Sequence, residues 1–347
     1  MIRKITWSIL IVTFFLQACK KDIPPSSENP ILMGGEEGVY ITNEGNFQFG
    51  NAAVSYFEKG LTDAVPDLFE PANNRPLGDV CQSMFFFNGL AYLVINNSNK
   101  IEVVDANSFV SLATITDFNS PRYFLPVSNS KAYVTDLYDN AISIVDLSAN
   151  KRIGEIPCNG WTEELALAYG KVFVTNRERN QLYIINTLND QITDSITIGF
   201  GANSIVEDRN GKLWVLCSGS ESKAINAGLY RINPINNTIE MTFSFSNSSN
   251  RPYRLDINGT NDTLYYLDSE GVFQLPINAV SLPTNAIILS EGRNLYGLGI
   301  NPNTKEILVA DAIDYVQRGR IYVYQPNGTL VKSFLAGIIP GDFYFKD

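Results

Sequence analysis

Arginines, aromatic rings and side-chain amides recur in this chain on loops that are long enough to present them together. Phe47, Phe49 and Asn51 share one connection, "NEGNFQFGN", far longer than a two-residue hairpin turn needs. Asn74, Asn97, Arg122, Tyr138, Trp161, Arg251, Tyr315 and Gln317 fall in comparable loops further on. The chemistry these types offer is recognition. Amides donate and accept hydrogen bonds together. Aromatic rings cover flat apolar area at low entropic cost. Arginine and aromatics are enriched where binding energy concentrates. Bond-breaking chemistry has fewer candidates. The 347 residues contain no histidine, which excludes Ser-His-Asp and Cys-His hydrolysis and histidine-ligated zinc or haem. Asp311 and Asp314 place two acids in one loop, and no carboxylate cluster has metal-ligand spacing. The expectation is a protein without catalytic residues, metal or cofactor. A formal net charge of −10, with no lysine and arginine cluster, argues against nucleic acid.

The elements that must position these loops repeat along the chain. "SPRYFLPVSNSKAYVTDLYDNAISIVDLSANKRIGEI" holds four strand-like runs separated by turn signals, and the same order returns in "LALAYGKVFVTNRERNQLYIINTLNDQITDSITI". Aligning second strands places Tyr40, Tyr92, Tyr133, Phe173, Trp214, Tyr265 and Leu308 in register, about 40 to 52 residues apart, the period of four-stranded propeller blades. The fold class is therefore all-β, a seven-bladed β-propeller over residues 37–347. The first blade lacks an inner strand, which the C-terminal "IIPGDFYFKD" supplies. That pairing closes the ring and removes its open edges.

This topology sends the loops between second and third strands, and those leading into each inner strand, to one face. The candidate site residues all belong to loops of that face, while the opposite face carries short turns such as "VSNS" and "NPNT". Phe47, Phe49, Tyr138, Trp161 and Tyr315 would supply apolar contact; Asn51, Asn74, Asn97 and Gln317 would pair with polar groups; Arg122 and Arg251 would meet an anion or brace loops. Such a surface fits a large polar organic ligand.

The start of the chain reads as an address. Arg3 and Lys4 precede an apolar run of about 12 residues, Ile5 to Leu16, too short for a typical membrane span. It ends in Leu16-Gln17-Ala18-Cys19, which resembles a lipobox. Residues 1–18 are expected to be a lipoprotein signal peptide, Cys19 the lipidated residue, and 19–36 a flexible tether. Outer-membrane anchoring, facing the cell surface, follows as the expected location. The three other cysteines, Cys81, Cys158 and Cys217, are an odd number and suit buried apolar positions better than disulfides.

Several longer stretches carry a family likeness. "GVYITNEGNFQFGNAAVSYF", "LGDVCQSM", "FNSPRYF", "NGTNDTLYY", "VADAIDYVQRG" and "GIIPGDFYF" resemble the surface cobalamin-binding lipoprotein propellers of Bacteroidetes, from about Gly38 to Phe345. The resemblance implies capture of cobalamin or a related corrinoid on one face of the ring. It also implies delivery to an outer-membrane TonB-dependent transporter. Corrinoid amides would then meet the Asn and Gln side chains, and the phosphate Arg122 or Arg251. The residues themselves leave another large ligand, a glycan or siderophore, open.

Overall fold

Most strand-like runs in this chain are apolar on both faces, so each must be covered on both sides. Stacking sheets face to face around an axis achieves this. A computed structural model describes residues 38–346; the expected signal peptide, Cys19 and tether lie outside the described residues.

Seven antiparallel sheets form the blades. Six contain four consecutive strands running from the axis outward; blade 3, for example, is Pro121–Pro126, Lys131–Asp136, Ala141–Asp146 and Lys151–Pro157. Blade 1 is assembled from both ends of the described chain. Its inner strand is Pro340–Phe345, paired with Val39–Asn43, which pairs in turn with Ala53–Phe57. Its fourth position is a short bridge, where Tyr56 and Val65 exchange backbone hydrogen bonds of 3.0 and 2.8 Å. The inner strands of successive blades touch all the way round, so the ring is closed. The seven aligned anchors all sit in second strands and are all buried, from Tyr40 to Leu308.

The core is divided accordingly. Seven apolar clusters occur among the described residues, one at each junction between neighbouring blades. Phe57 of blade 1 stacks on Phe334 of blade 7 with ring centroids 3.7 Å apart. Close approach of inner strands dictates a glycine at 297, where a side chain would come within 1.9 Å of the Gly341 carbonyl oxygen. Cys81, Cys158 and Cys217 are unbridged and buried within three of these clusters. Burial raises all three thiol pKa values, that of Cys158 to about 12.

Candidate ligand-binding site

Each inner strand begins on the long-loop face with one irregularity. In all seven blades the pairing of inner with second strand slips at the second residue of the inner strand. A β-bulge of this kind re-aims a side chain. The residues so placed are Gln82, Arg122, Glu163, Asn203, Arg254, Tyr296 and Gly341. All but the glycine line one funnel of about 380 Å³ on the ring axis.

The funnel wall is a connected polar network. Arg122 donates from Nε to Glu163 Oε2 at 2.8 Å and from Nη2 to Oε1 at 2.6 Å, and its Nη1 donates to Gln82. Trp161 Nε1 donates to the same Glu163 carboxylate at 2.6 Å, and the guanidinium groups of Arg177 and Arg122 lie over the indole at 4.6 and 5.4 Å. Burial alone would raise the Glu163 carboxyl; the ion pair and hydrogen bonds from Arg122 outweigh it and hold the pKa below the usual range. Deeper in, Arg254 of blade 6 pairs with Asp342 of blade 1 and points Nη1 at the Tyr123 hydroxyl of blade 3, 3.5 Å away, so it spans the axis. Tyr296 donates to Glu44 at 2.8 Å. Burial raises the Glu44 carboxyl, with Arg254 offsetting part of the effect, and raises Glu164 well above the usual range.

Asp256, on the inner strand of blade 6, accepts backbone hydrogen bonds from Ile257 at 2.7 Å and from Ile300 at 2.8 Å. Burial nonetheless pushes its pKa from 3.8 to about 6. The folded state therefore holds this proton more tightly than the unfolded state. The resulting stabilisation is complete below about pH 4 and is lost as pH rises through 6. Relative to wild type, Asp256→Asn should gain on the order of 2 kcal/mol between pH 4 and pH 7. Urea unfolding at the two pH values checks this, and an identical wild-type-to-variant difference at both would contradict it.

The rim is built by the loop 44–52. Its backbone is pinned: Glu44 N–H donates to Ile339, Val80 N–H donates to Glu44, and Gln48 N–H donates to Asp79 Oδ2 at 2.8 Å. Phe47 and Phe49 are nevertheless 63% and 78% exposed, and Phe47 lines the funnel. The loop is ordered yet holds two phenyl rings in water, an exposure of the kind that marks interaction surfaces. Tyr315 sits edge-on to Tyr296 at 6.0 Å, and its carbonyl accepts from Asn46 Nδ2 at 2.6 Å. A depression of about 610 Å³ adjoins the funnel over blades 4 and 5, sharing Arg177 and Tyr253 with it and containing Trp161 and Arg251.

The structure thus gathers Phe47, Arg122, Trp161, Arg251 and Tyr315 in or against one continuous concavity. Other expected site residues fall outside it. Asn74 is the left-handed C-cap of a short helix, Phe69–Asn73, that packs on an outer strand of blade 2 and the last strand of blade 1. Its loop runs along the outer rim, where neighbouring Arg75 is tied to Glu102. Asn51 braces its own loop through Asn46, Asn97 donates to Asp79 at 2.5 Å, and Gln317 caps its own turn through Asp314. Phe49 and Tyr138 are exposed without lining the funnel or the depression. Arg122, expected on a loop, is a strand residue whose bulge turns it inward. Sequence reasoning missed Gln82, Glu163, Glu164, Asn203 and Arg254. The available signal was a residue with a polar group at the second position of six of the seven inner strands once the blades are aligned, with Glu164 following Glu163.

A family model described as "Domain of unknown function (DUF5074)" matches residues 37–344. The chain belongs to the DUF5074 family. The DUF5074 match takes in all seven blades and the funnel, up to Tyr344. No curated protein matches the chain. Among solved structures it is similar to a quinonprotein alcohol dehydrogenase-like protein from Bacteroides thetaiotaomicron (15% identity, 90% of this chain and 78% of that chain, TM-score 0.70). It is also similar to a functionally unknown protein from Desulfotomaculum acetoxidans (13% identity, 89% and 98%, TM-score 0.67). At these identities the likeness extends to the propeller fold alone.

Proposed function

We propose that this DUF5074 protein is a non-enzymatic capture protein for cobalamin or a related corrinoid. In this reading it is anchored through lipid at Cys19 and passes the vitamin to an outer-membrane TonB-dependent transporter. The observation that carries the reading is the pairing of a polar funnel, lined by arginine and amide groups, with exposed rings on an ordered rim. A corrinoid has the matching surface, a broad macrocycle fringed by amides. A funnel of about 380 Å³ is at the small end for drug-sized ligands. So large a molecule would lie across the mouth against Phe47 and Phe49, with projecting groups entering. The funnel's charges favour binding over catalysis, because Glu163 and Asp342 are committed to Arg122 and Arg254.

The test is a calorimetric titration of the chain from Met33 onward, the start of the compact unit that holds the propeller, with cyanocobalamin. Saturable 1:1 binding is expected. The double variant Phe47→Ala/Phe49→Ala should bind at least about 10-fold more weakly, with a melting temperature within about 2 °C of wild type because both rings are exposed. Absence of heat, together with binding of a glycan or a siderophore, would replace the reading.

A further inference from the structure

Of the arginines at this face, Arg122 has Nε, Nη1 and Nη2 all engaged by Glu163 and Gln82, which leaves it poorly placed to receive an anion. The depression over blades 4 and 5 differs. Arg177 stands 3.8 Å from Glu163, stacks on Trp161 and remains one-third exposed (33%). Arg251 spends one donor on the Ser218 carbonyl at 3.2 Å. Lys223 lies 4.1 Å from the ring of Phe200, another wall of the same depression. Against these cations the lining offers one carboxylate, Glu178, whose Oε2 accepts from the Trp161 backbone at 3.4 Å. Two arginines with unspent donors beside two flat rings make a site for an anion attached to a ring: the guanidinium forks take the oxygens and the rings take the flat group.

We infer that this depression is a second subsite, which receives an anionic, ring-bearing arm of a ligand whose body lies over the funnel. The inference rests on the corrinoid reading, in which the arm is the phosphate-linked nucleotide of cobalamin. Because Arg177 and Tyr253 belong to both cavities, one molecule can occupy the two at once. The subsite adds discrimination: corrinoids that carry the nucleotide arm are held more tightly than those that lack it.

The experiment titrates the chain from Met33 onward with cobalamin and with cobinamide, a corrinoid without the nucleotide arm, for wild type and for Arg177→Gln/Arg251→Gln. Wild type should bind cobalamin at least about 30-fold more tightly than cobinamide. The double variant should lose at least about 10-fold more affinity for cobalamin than for cobinamide, and an unchanged melting temperature certifies the fold. Equal wild-type affinity for the two ligands overturns the subsite and leaves the corrinoid reading standing. So does unchanged cobalamin binding in the double variant, or an equal loss for both ligands at unchanged melting temperature. If the double variant does not fold, Arg251→Gln alone, at the position that lines the depression and not the funnel, is read by the same criteria. Failure of wild type to bind either corrinoid overturns both readings.

Discussion

A chain ended at Ile339 should not unfold as one cooperative unit. The deleted strand, Pro340–Phe345, pairs Phe345 with Val39, Tyr344 with Tyr40 and Phe343 with Ile41, and so supplies the inner strand of blade 1. Phe343 and Phe345 pack into the cluster between blades 7 and 1, and Tyr344 into that between blades 1 and 2. At about 1.5–3 kcal/mol for each large side chain fully buried, and less here because these are partly buried, three aromatics together come near the lower end of the stability of a typical domain, about 5–15 kcal/mol. Truncation also strips Asp342 from Arg254 on the axis and bares the edge of Val39–Asn43, a template for aggregation. Size-exclusion chromatography and thermal melting followed by circular dichroism read the result. Self-association and a broad, low-temperature transition are expected; a monomer melting within a few degrees of the full propeller would contradict the closure.

Glu163→Gln is expected to be the most damaging single substitution in the funnel. The carboxylate is almost fully enclosed, its side chain 4% exposed. It receives Arg122 through two hydrogen bonds and the Trp161 indole through a third, with Arg177 at 3.8 Å. Removing its charge leaves the enclosed Arg122 guanidinium without its counter-ion, and breaking a buried pair in this way typically costs about 3–5 kcal/mol. For a chain of this size that corresponds to a fall in melting temperature of roughly 5–10 °C. Arg122→Met in the Glu163→Gln background should restore part of the loss, because the enclosed charge is then gone. Differential scanning calorimetry of the wild type, both single variants and the double variant gives the coupling. A Glu163→Gln protein that melts with wild type would show that the network does not bear on stability.

The fold was legible in the sequence because blade structure is local. Each blade repeats strand, turn and strand at a period the aromatic anchors mark, and the missing inner strand at one end is matched by the spare strand at the other. The rim was legible too: phenyl rings in the loop after Asn43 had no apolar strand to join, and they stand in water. The floor of the funnel was not. Its residues sit where an entering loop becomes an inner strand, and a bulge that turns Gln82, Glu163, Asn203 and Arg254 to the axis is a slip of pairing between two strands, invisible in either alone. Loop length misled at Asn74 for a related reason. A connection from outer to inner strand must first travel along the rim, and Asn74 is used there to end a helix.

Corrinoid capture at the funnel is tested most directly by a crystal structure of the chain from Met33 onward saturated with cyanocobalamin. The corrin should lie over the funnel mouth against Phe47, with amide groups directed toward the polar wall and the nucleotide arm over Arg177 and Arg251. Electron density for the ligand on the short-turn face, or crystals that remain without ligand at saturating concentration, would contradict it.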